Sequence, residues 1–460
     1  MALSTIEPSV CFHNSNSRDF NVHQEVSREC ISREWISGAP QTSAASEAYR
    51  LVRAGVTPVL ILGPAGTGKT TFLKQLIHDC GDRVVAVAPT GVAALRLDGY
   101  TIHSVFKLPP RVITPDDTQE PAAVAVLRAM EVLVIDEISM VRADVLDAID
   151  SRLRCARRDN RPFGGVQVVM LGDPFQLPPV VEDDAAATLD SLGYSGPWFF
   201  DATVMTEALP TVVHFGHVYR QDDPTFVRVL HAIRRGDAND EVLSVINGRV
   251  YEDTEALCAE ANVVTLTARR AHAREINAHE LRRLPEPERE FRSMTVGDFP
   301  AELQRTESVL RLRKHSRVMF VKNDPDHRWV NGTVGTVVGR ENNVVLVRAD
   351  GASDVHRVRA VSWERTRLEY DRFARRFRHR VVGSFTQLPI AHAWATTVHK
   401  AQGITLERAH VALDGVFATG QTYVALSRCR SLNGLTLERA ITSADIRVDA
   451  RVTEYLESLS

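Results

Sequence analysis

The sequence has few of the features that place a protein in a membrane or in an oxidising compartment. No run of about 18 consecutive apolar residues occurs, so the sequence predicts no membrane-spanning helix. The cysteines are far apart and none forms a C-x-x-C pair, which argues against a zinc site or a disulfide framework and favours a reducing compartment. The six are Cys11, Cys30, Cys80, Cys155, Cys258 and Cys429.

The chain also lacks a strong excess of one charge and an apolar leader. Its formal net charge is −3 at pH 7, so a nucleic-acid partner would need a local basic groove or strip. Residues 1–40 contain more acids than arginines, whereas transit peptides are poor in acids. We therefore expect an intracellular protein, in the cytoplasm or nucleoid of a bacterium or the nucleus of a eukaryote. Residues 1–40 are predicted to form a mobile tail.

The strongest signal is the segment Gly63-Pro64-Ala65-Gly66-Thr67-Gly68-Lys69-Thr70, which fits the pattern G-x-x-x-x-G-K-[ST]. An apolar run precedes it and a helical pattern follows, which is the context of a phosphate-binding loop. The glycines allow backbone N–H groups to turn toward an anion, and the helix N-terminus adds partial positive charge. Lys69 can then reach the β- and γ-phosphates of a nucleotide, and the Thr70 hydroxyl can bind Mg²⁺. A chance match is the alternative, and the flanking elements argue against it.

Short apolar segments alternate with segments of helix length, which indicates a parallel α/β sheet. The predicted strands are 58–62, 84–88, 132–135 and 167–171, and a second series follows at 263–267, 409–413 and 435–438. Polar residues follow the first four strands at the carboxyl ends, where open α/β sheets bind ligands. The region 290–388 instead holds short alternating segments and two turn signals, which predict a small antiparallel insertion.

Two further groups of polar residues lie at strand ends. Asp136 and Glu137 follow the strand at 132–135. In a phosphate-loop enzyme such an aspartate holds Mg²⁺, and the adjacent glutamate can accept the proton of the attacking water. The alternative is an ordinary solvated pair of acids at the protein surface.

Gln176 follows the next strand and could contact the γ-phosphate and water, because an amide both donates and accepts hydrogen bonds. The alternative is that this segment is only a proline-rich turn.

Taken in order, these segments resemble the motor core of superfamily-one helicases. The stretch 145–167, which ends in Arg-Pro-Phe-Gly-Gly-Val-Gln, is similar to the signature of the Pif family. The resemblance runs from about residue 43 to about residue 443. It rests on the segments 63–70, 88–94, 101–104, 136–137, 172–179, 218–221, 394–406 and 421–428.

The resemblance implies an α/β fold of two RecA-like domains with ATP between them and an SH3-like β insertion in the second, as in RecD-like helicases. We expect the first domain at 41–205, with a small wedge-like insertion at about 104–125. The second is expected at 206–293 and 388–460, with the SH3-like subdomain at 294–387. The implied activity is that of a monomeric DNA helicase that uses ATP and Mg²⁺. It moves 5′→3′ on single-stranded DNA, unwinds duplexes at single/double-strand junctions, and serves replication, repair, recombination or telomere maintenance.

The resemblance also implies roles for individual residues. Hydrolysis is expected to depend on Lys69, Glu137, Gln176, Arg220 and Arg428. Nucleotide binding would add Thr71 and Gly403 to the phosphate loop, and Thr70 and Asp136 are the expected Mg²⁺ ligands. Contacts to DNA are expected at Thr90, Gly91, His103, Ser104, Thr397, His399 and Lys400. Small hydroxyl and backbone donors suit sequence-independent contacts to phosphate, although His103 by itself would be an ordinary core or surface histidine.

Several features leave a structural alternative open. Phe106 and Trp394 could stack on bases, but a lone aromatic residue also suits core packing. The segment 365–380 carries seven arginines among three aromatic residues. It indicates either a basic wall along DNA or a solvated amphipathic segment.

The sequence also leaves the nucleotide preference and the kind of motor open. The family's adenine-reading glutamine has no match in the helix predicted at 43–53. Gln41 is the nearest glutamine, and Ser46 or Glu47 lies near the expected place. Two functional alternatives are a translocase that strips proteins from DNA without unwinding, and a nucleotide-gated DNA-binding module without turnover.

Overall fold

The computed structural model describes residues 43–119, 122–181, 183–251, 262–413, 415 and 418–459. Two parallel sheets flanked by helices form two lobes, and a set of antiparallel strands is inserted in the chain between the first and second strands of the second sheet. The predicted α/β class is therefore confirmed. The predicted tail at 1–40 and Gln41 lie outside the described residues. Within the described ranges, no helix is long and apolar enough to cross a membrane.

The first lobe is built on a six-stranded parallel sheet of order β3-β2-β4-β5-β1-β6. Its strands are β1 (Val59–Leu62), β2 (Val84–Ala88), β3 (Tyr100–Thr101), β4 (Val132–Ile135), β5 (Gln167–Gly172) and β6 (Thr211–His214). Its helices are α1 (Ser43–Arg53), α2 (Lys69–Cys80), α3 (Gly91–Arg96), α4 (Ile102–Phe106), α5 (Val124–Ala129), α6 (Ala143–Arg157), α7 (Asp183–Ser191) and α8 (Thr203–Glu207).

The central strands of this sheet are continuously apolar because both of their faces are buried. In β1, Leu60 and Leu62 point into the core that α6 covers. The alternate residues Val59 and Ile61 point into the core that α1 and α2 cover. Burial of each such side chain stabilises the fold by about 1.5–3 kcal/mol. The carboxyl edge of the sheet, where β1, β2, β4 and β5 end, therefore has a fixed geometry.

The strand β6 corrects the predicted boundary between the domains at 205/206. It pairs in parallel with β1 over its whole length, so the first sheet extends to His214. Val213 is buried in the core beneath α1 and α2. The connection to the second lobe therefore begins after β6.

The second lobe is built on a four-stranded parallel sheet of order β18-β7-β19-β20. Its strands are β7 (Val264–Thr267), β18 (Ala395–Thr397), β19 (Ala409–Ala412) and β20 (Leu435–Leu437). Its helices are α9 (Pro224–Arg235), α10 (Asp240–Asn247), α11 (Arg270–Arg283), α12 (Val398–Ala401) and α13 (Gln421–Leu426).

The last helix, α14 (Ala450–Ser458), returns to the first lobe. Val452 packs with Phe175 and Trp198, and the Tyr455 ring stacks on Phe200 with centroids 4.3 Å apart. The sequence had placed this segment with the second domain. The packing corrects that assignment, because the apolar face of α14 is buried against the first lobe.

The β insertion, residues 289–392, consists of three antiparallel sheets of order β10-β8, β14-β13-β12-β11-β17 and β15-β16-β9. Its strands are β8 (Arg289–Arg292), β9 (Met294–Gly297), β10 (Val309–Leu312), β11 (Arg317–Phe320), β12 (Val334–Glu341), β13 (Val344–Ala349), β14 (Val355–Val358), β15 (Val361–Asp371), β16 (Arg376–Gln387) and β17 (Ile390–His392). The antiparallel pattern was predicted, and it extends past both predicted limits, 294 and 387. The assignment as an SH3-like subdomain stays a prediction.

The hairpin of β15 and β16 reaches from the β insertion to the first lobe. Phe377 is buried in the core beneath α6, with Leu368 and Tyr370 packed against it. The Tyr100 ring stacks on His379 with centroids 5.7 Å apart, and its hydroxyl is hydrogen-bonded to the imidazole. The β insertion therefore contacts the first lobe as well as the second.

The segment predicted as a wedge, 104–125, is held against α6. The Ile113 N–H donates to Asp144 over 2.7 Å, and the Arg152 guanidinium donates to the Asp117 carbonyl over 2.6 Å. Residues 120 and 121 lie outside the described residues. A wedge function stays a prediction.

Candidate active site

The phosphate loop connects β1 to the first turn of α2, as the sequence predicts. Gly66 and Gly68 have φ values of +82° and +84°, a conformation that glycine adopts without steric cost. The Lys69 ammonium donates to the carbonyls of Gly63 and Pro64 over 2.5 and 2.9 Å. Burial lowers the pKa of Lys69, and the nearby acidic groups oppose that shift. A bound polyphosphate would offer this buried cation an anionic partner in place of two carbonyls.

The rest of the loop is held by its own hydroxyl and by the second lobe. Thr67 is buried and its hydroxyl donates to the Pro64 carbonyl over 3.0 Å. The Ala65 N–H donates to the Tyr423 hydroxyl over 3.0 Å. Thr70 and Thr71 are exposed at the start of α2, so their hydroxyls are accessible to a ligand.

The acidic pair lies at the end of β4, two strands from the phosphate loop. Asp136 is 8% exposed, and burial, with the adjacent Glu137, raises its pKa. No cluster of three or more metal-binding side chains exists in the parts of the chain that the structure describes. The Asp136 carboxylate and the Thr70 hydroxyl are hard oxygen donors, which fit Mg²⁺ when phosphate oxygens and water complete its shell.

Gln176 is placed by a buried ion pair that the sequence did not reveal. Its amide donates to Asp173 over 3.2 Å. Asp173 in turn pairs with Arg234 of α9 at 2.7 Å, with side chains 0% and 14% exposed. The bond joins the end of β5 to the second lobe. Asp173 lies within the segment 172–179, but its partner Arg234 is 61 residues away and carries no motif.

The two predicted arginines meet beside the phosphate loop. The Arg220 guanidinium donates to the Ser427 carbonyl over 3.4 Å. Arg428 is 1% exposed and donates to the Ser427 hydroxyl over 2.8 Å and the Val424 carbonyl over 2.9 Å. Burial, and then the charge of Arg220, lowers the pKa of Arg428 to about 9. The half-buried Arg220 and the buried Arg428 thus lie side by side, and two neighbouring cations form a site for a polyanion.

The position of Arg220 corrects one expectation. The sequence placed both arginines in the second α/β half, but Arg220 follows β6 and precedes α9. It therefore lies on the segment that connects the lobes, beside Gly66. Arg428 does lie in the second lobe, after α13.

Gly403 lies on a separate contact between the lobes. The preceding residue, Gln402, donates its amide to the Glu137 carboxylate over 3.2 Å. The Arg96 guanidinium donates to the Gln402 carbonyl. A Cβ at Gly403 would overlap that guanidinium. No role was predicted for Gln402 or Arg96, although Gln402 lies within the segment 394–406 and Arg96 follows the segment 88–94.

Threonines at three strand ends begin short helices. The hydroxyl of Thr90 accepts a bond from Ala93 N–H at the start of α3, and Thr101 does the same for α4. Thr397, at the start of α12, accepts from the Lys400 N–H over 3.3 Å. The predicted DNA contacts therefore lie on helix N-termini at the carboxyl edges of both sheets, where backbone N–H groups can meet phosphate. Gly91, His103, Ser104 and His399 are half-buried in these turns, and Lys400 is exposed.

The β insertion lies over part of this surface. Leu303 is in such close contact with Gly91 that a Cβ there would overlap it. The Arg305 guanidinium donates to the Val92 carbonyl over 3.0 Å. The start of α3 is therefore covered by the β insertion in the described arrangement.

Both lone aromatic residues are part of the fold. Phe106 is 0% exposed in the first core and Trp394 is 6% exposed. Neither ring presents a free face, so the structure corrects the base-stacking interpretation in favour of core packing.

The arginine-rich segment 365–380 is the hairpin of β15 and β16. Tyr370 and Phe377 pack on the first lobe, while Phe373 at the tip is fully exposed. Arg378 pairs with Asp371 at 2.5 Å. The segment thus combines a docked, ion-paired stem with an exposed tip, and neither predicted alternative describes all of it.

A family model described as PIF1-like helicase matches residues 42–243. The chain is 32% identical over 403 residues to the ATP-dependent DNA helicase Pif1 of Bdellovibrio bacteriovorus, covering 85% of this chain and 86% of that protein. It is 34% identical over 429 residues to the human ATP-dependent DNA helicase PIF1, covering 87% of this chain and 61% of the human protein. The chain spans less than two thirds of the length of the mammalian relatives it matches.

The structure is also similar to solved structures of a Bacteroides Pif1. Comparison with the ADP-AlF4 complex of that protein gives a TM-score of 0.84 at 34% sequence identity. The match covers 92% of this chain and 97% of the other. Comparison with the same relative bound to single-stranded DNA, at the same coverage of both chains, gives a TM-score of 0.67. The described arrangement thus lies closer to the former structure.

Proposed function

The chain belongs to the PIF1-like helicase family, and on that premise we propose that it is an ATP-dependent DNA helicase that moves 5′→3′ on single-stranded DNA. The observation that carries the proposal is the convergence of the phosphate loop, the acidic pair, Arg220 and Arg428 in one cleft between the lobes. A hydrolytic site shared by two lobes can convert turnover into relative motion of the lobes. A DNA-binding module that does not hydrolyse nucleotide would not need all three of Lys69, Asp136 and Glu137.

The residues of the cleft have distinct proposed roles. The backbone of the phosphate loop and Lys69 hold the β- and γ-phosphates, and Thr71 and Gly403 line the nucleotide. Thr70 and Asp136 would hold Mg²⁺, which when bound neutralises charge on the transferred phosphate. Glu137 accepts the proton of the attacking water. Gln176, whose amide is held by Asp173, is the residue proposed to orient that water.

Arg220 and Arg428 complete the cleft from outside the phosphate loop. Negative charge spreads over the equatorial oxygens of the γ-phosphate in the transition state, and a permanent cation stabilises it. Arginine suits this role because its fork can hold two oxygens. In the absence of nucleotide the two arginines repel each other, so a triphosphate between the lobes would relieve that repulsion.

DNA is proposed to cross the helix N-termini at Thr90–Gly91, His103–Ser104 and Thr397–Lys400. These donors reach phosphates rather than base edges, so binding should depend on salt and little on base sequence. Because Leu303 covers Gly91, the β insertion must shift for DNA to occupy that part of the track. A Bacteroides relative has been solved with single-stranded DNA, and another 34% identical structure concerns DNA unwinding at a forked duplex by two coordinating Pif1 helicases. Both support a junction as the substrate.

The test is phosphate release with and without a single-stranded oligonucleotide. The proposal predicts hydrolysis that needs Mg²⁺ and rises on addition of DNA, and its loss in Lys69→Ala. Lys74→Ala, in the same helix but at an exposed position, is the matched control and should behave as the parent. Hydrolysis that survives in Lys69→Ala would remove the phosphate loop from the mechanism.

A further inference from the structure

Arg96 lies between the proposed DNA track and the acidic pair. It is the last residue of α3, the six-residue helix that begins at Gly91. Its guanidinium donates across the lobe boundary to the Gln402 carbonyl. The absence of a side chain at Gly403 provides the space for it. One side chain therefore joins the DNA-side helix of the first lobe to the segment of the second lobe that faces the nucleotide.

Gln402 continues this connection to the catalytic base. Its backbone carbonyl accepts from Arg96, and its side-chain amide donates to the Glu137 carboxylate over 3.2 Å. Gln402 is 8% exposed, so water competes poorly for these bonds. Glu137 is thereby fixed toward the second lobe.

The other end of α3 contacts the β insertion. Leu303 covers Gly91, and Arg305 donates to the Val92 carbonyl over 3.0 Å. DNA that occupies the Thr90–Gly91 turn must displace Leu303. Since α3 has fewer than two turns, a shift at its first residue moves its last residue by a comparable amount.

We infer that Arg96 is a positioning residue that holds Gln402 on Glu137 in the DNA-free protein and releases it when DNA engages the start of α3. The inference rests on the proposed function, because it assigns Glu137 as the base and Thr90–Gly91 as a DNA contact. Hydrolysis without DNA is then slow because the base is held away from water. DNA binding then frees the Glu137 carboxylate, although the DNA itself does not contact the nucleotide.

The experiment measures kcat and KM for ATP in the full chain, without DNA and at a saturating concentration of oligo-dT. Arg96→Met keeps the length of the side chain and removes its donors. We expect its DNA-free kcat to rise about tenfold, the order of one charge-assisted hydrogen bond. The kcat at saturating DNA and the KM for ATP should stay within about twofold of the parent. Arg96→Lys, which can still reach a carbonyl, should give an intermediate DNA-free rate.

The control is Arg50→Met, at a side chain that is 70% exposed on α1, and both of its rates should equal those of the parent. Gln402→Met leaves Arg96 in place and should raise the DNA-free rate in the same way. The double variant should rise no further than either single change, because both act on one connection. This second route keeps the inference testable if Arg96→Met does not fold.

Three results would overturn the inference. A folded Arg96→Met with unchanged DNA-free hydrolysis would show that Glu137 is not restrained through Arg96. Lower rates both with and without DNA would make Arg96 a cation that supports the phosphates. A parent protein whose hydrolysis does not respond to DNA would instead refute the proposed function, and this inference with it.

Discussion

Arg220, on the segment that connects the lobes, is in direct contact with Gly66 of the phosphate loop. A Cβ at Gly66 would lie 2.6 Å from the Cβ of Arg220, and the Tyr219 N–H donates to the Gly66 carbonyl over 2.9 Å. The tip of the phosphate loop and the segment between the lobes are thus fitted to each other. Nucleotide binding and the placement of Arg220 are therefore expected to change together.

Gly66→Ala tests this fit, and Gly55→Ala is its matched control. Both glycines have positive φ, but nothing lies within 4 Å of a Cβ at Gly55. Each change should cost about 1–2 kcal/mol of backbone strain. Only Gly66→Ala should also weaken nucleotide binding and slow hydrolysis, since its Cβ overlaps Arg220. Thermal unfolding measures the loss of stability, and nucleotide titration measures the loss of affinity. Equal nucleotide affinity in both variants would show that the contact between Gly66 and Arg220 does not contribute to nucleotide binding.

Arg220→Ala and Arg428→Ala should each slow turnover about 10³-fold or more while nucleotide and DNA still bind. The double variant should lose far less than the product of the single losses, because the two cations act on one phosphate. Arg430→Ala, at a surface arginine paired with Glu407, should hydrolyse like the parent. If Arg220→Ala and Arg428→Ala unfold early yet hydrolyse normally when folded, the two arginines only hold the lobes together.

Arg234→Met should destabilise the protein by about 3–5 kcal/mol, because it leaves the buried Asp173 carboxylate without its cation. It should also slow hydrolysis, since Gln176 loses its fixed partner. Arg228→Met removes an exposed partner of Glu241 from the same helix and should cost less than about 1 kcal/mol. Chemical denaturation measures both values. Similar small losses in the two variants would mean that Asp173 finds another partner or takes up a proton.

The sequence predicted those parts of the molecule that depend on local pattern. The strands β2 and β4 and the helix α1 have the bounds that periodicity gave, because each is a short apolar or amphipathic segment with clear ends. Strand β6 was missed because Thr211–His214 is short, half of its residues are exposed, and its pairing partner lies 152 residues earlier.

The residues of the candidate site likewise fall into those that a local pattern predicts and those that it does not. Residues within continuous motifs, such as Lys69 and Glu137, were identified from the sequence. Arg234, Arg96 and Tyr423 act through partners that are 61, 306 and 358 residues away. No local pattern encodes such pairs, and only the folded arrangement of the lobes reveals them.

The tip of the hairpin should contribute to DNA binding and little to stability. Asp371 accepts the N–H groups of Phe373 and Ala374 over 2.9 and 3.0 Å, so the turn presents Phe373 in a fixed way. Among the described residues, no ion pair is formed by Arg372, Arg375 or Arg376. An exposed ring among unpaired arginines suits stacking on a base beside phosphate.

Phe373→Ala should therefore weaken binding to a tailed duplex by about 1–3 kcal/mol with unchanged unfolding. Replacing the three tip arginines with glutamine should reduce the slope of log affinity against log salt by about two. The same replacement at the surface residues Arg228 and Arg282 should leave that slope unchanged. An unaltered affinity in the tip variants, measured by anisotropy, would limit the hairpin to a structural role.

Helicase activity and its polarity are tested together by strand displacement on duplexes that carry either a 5′ or a 3′ single-stranded tail, with ATP and Mg²⁺. We expect that the parent protein unwinds the 5′-tailed duplex, that it does not unwind the 3′-tailed duplex, and that Lys69→Ala unwinds neither. Unwinding from the 3′ tail alone would reverse the assigned polarity. Hydrolysis stimulated by DNA without displacement of either strand would contradict a helicase and leave a translocase.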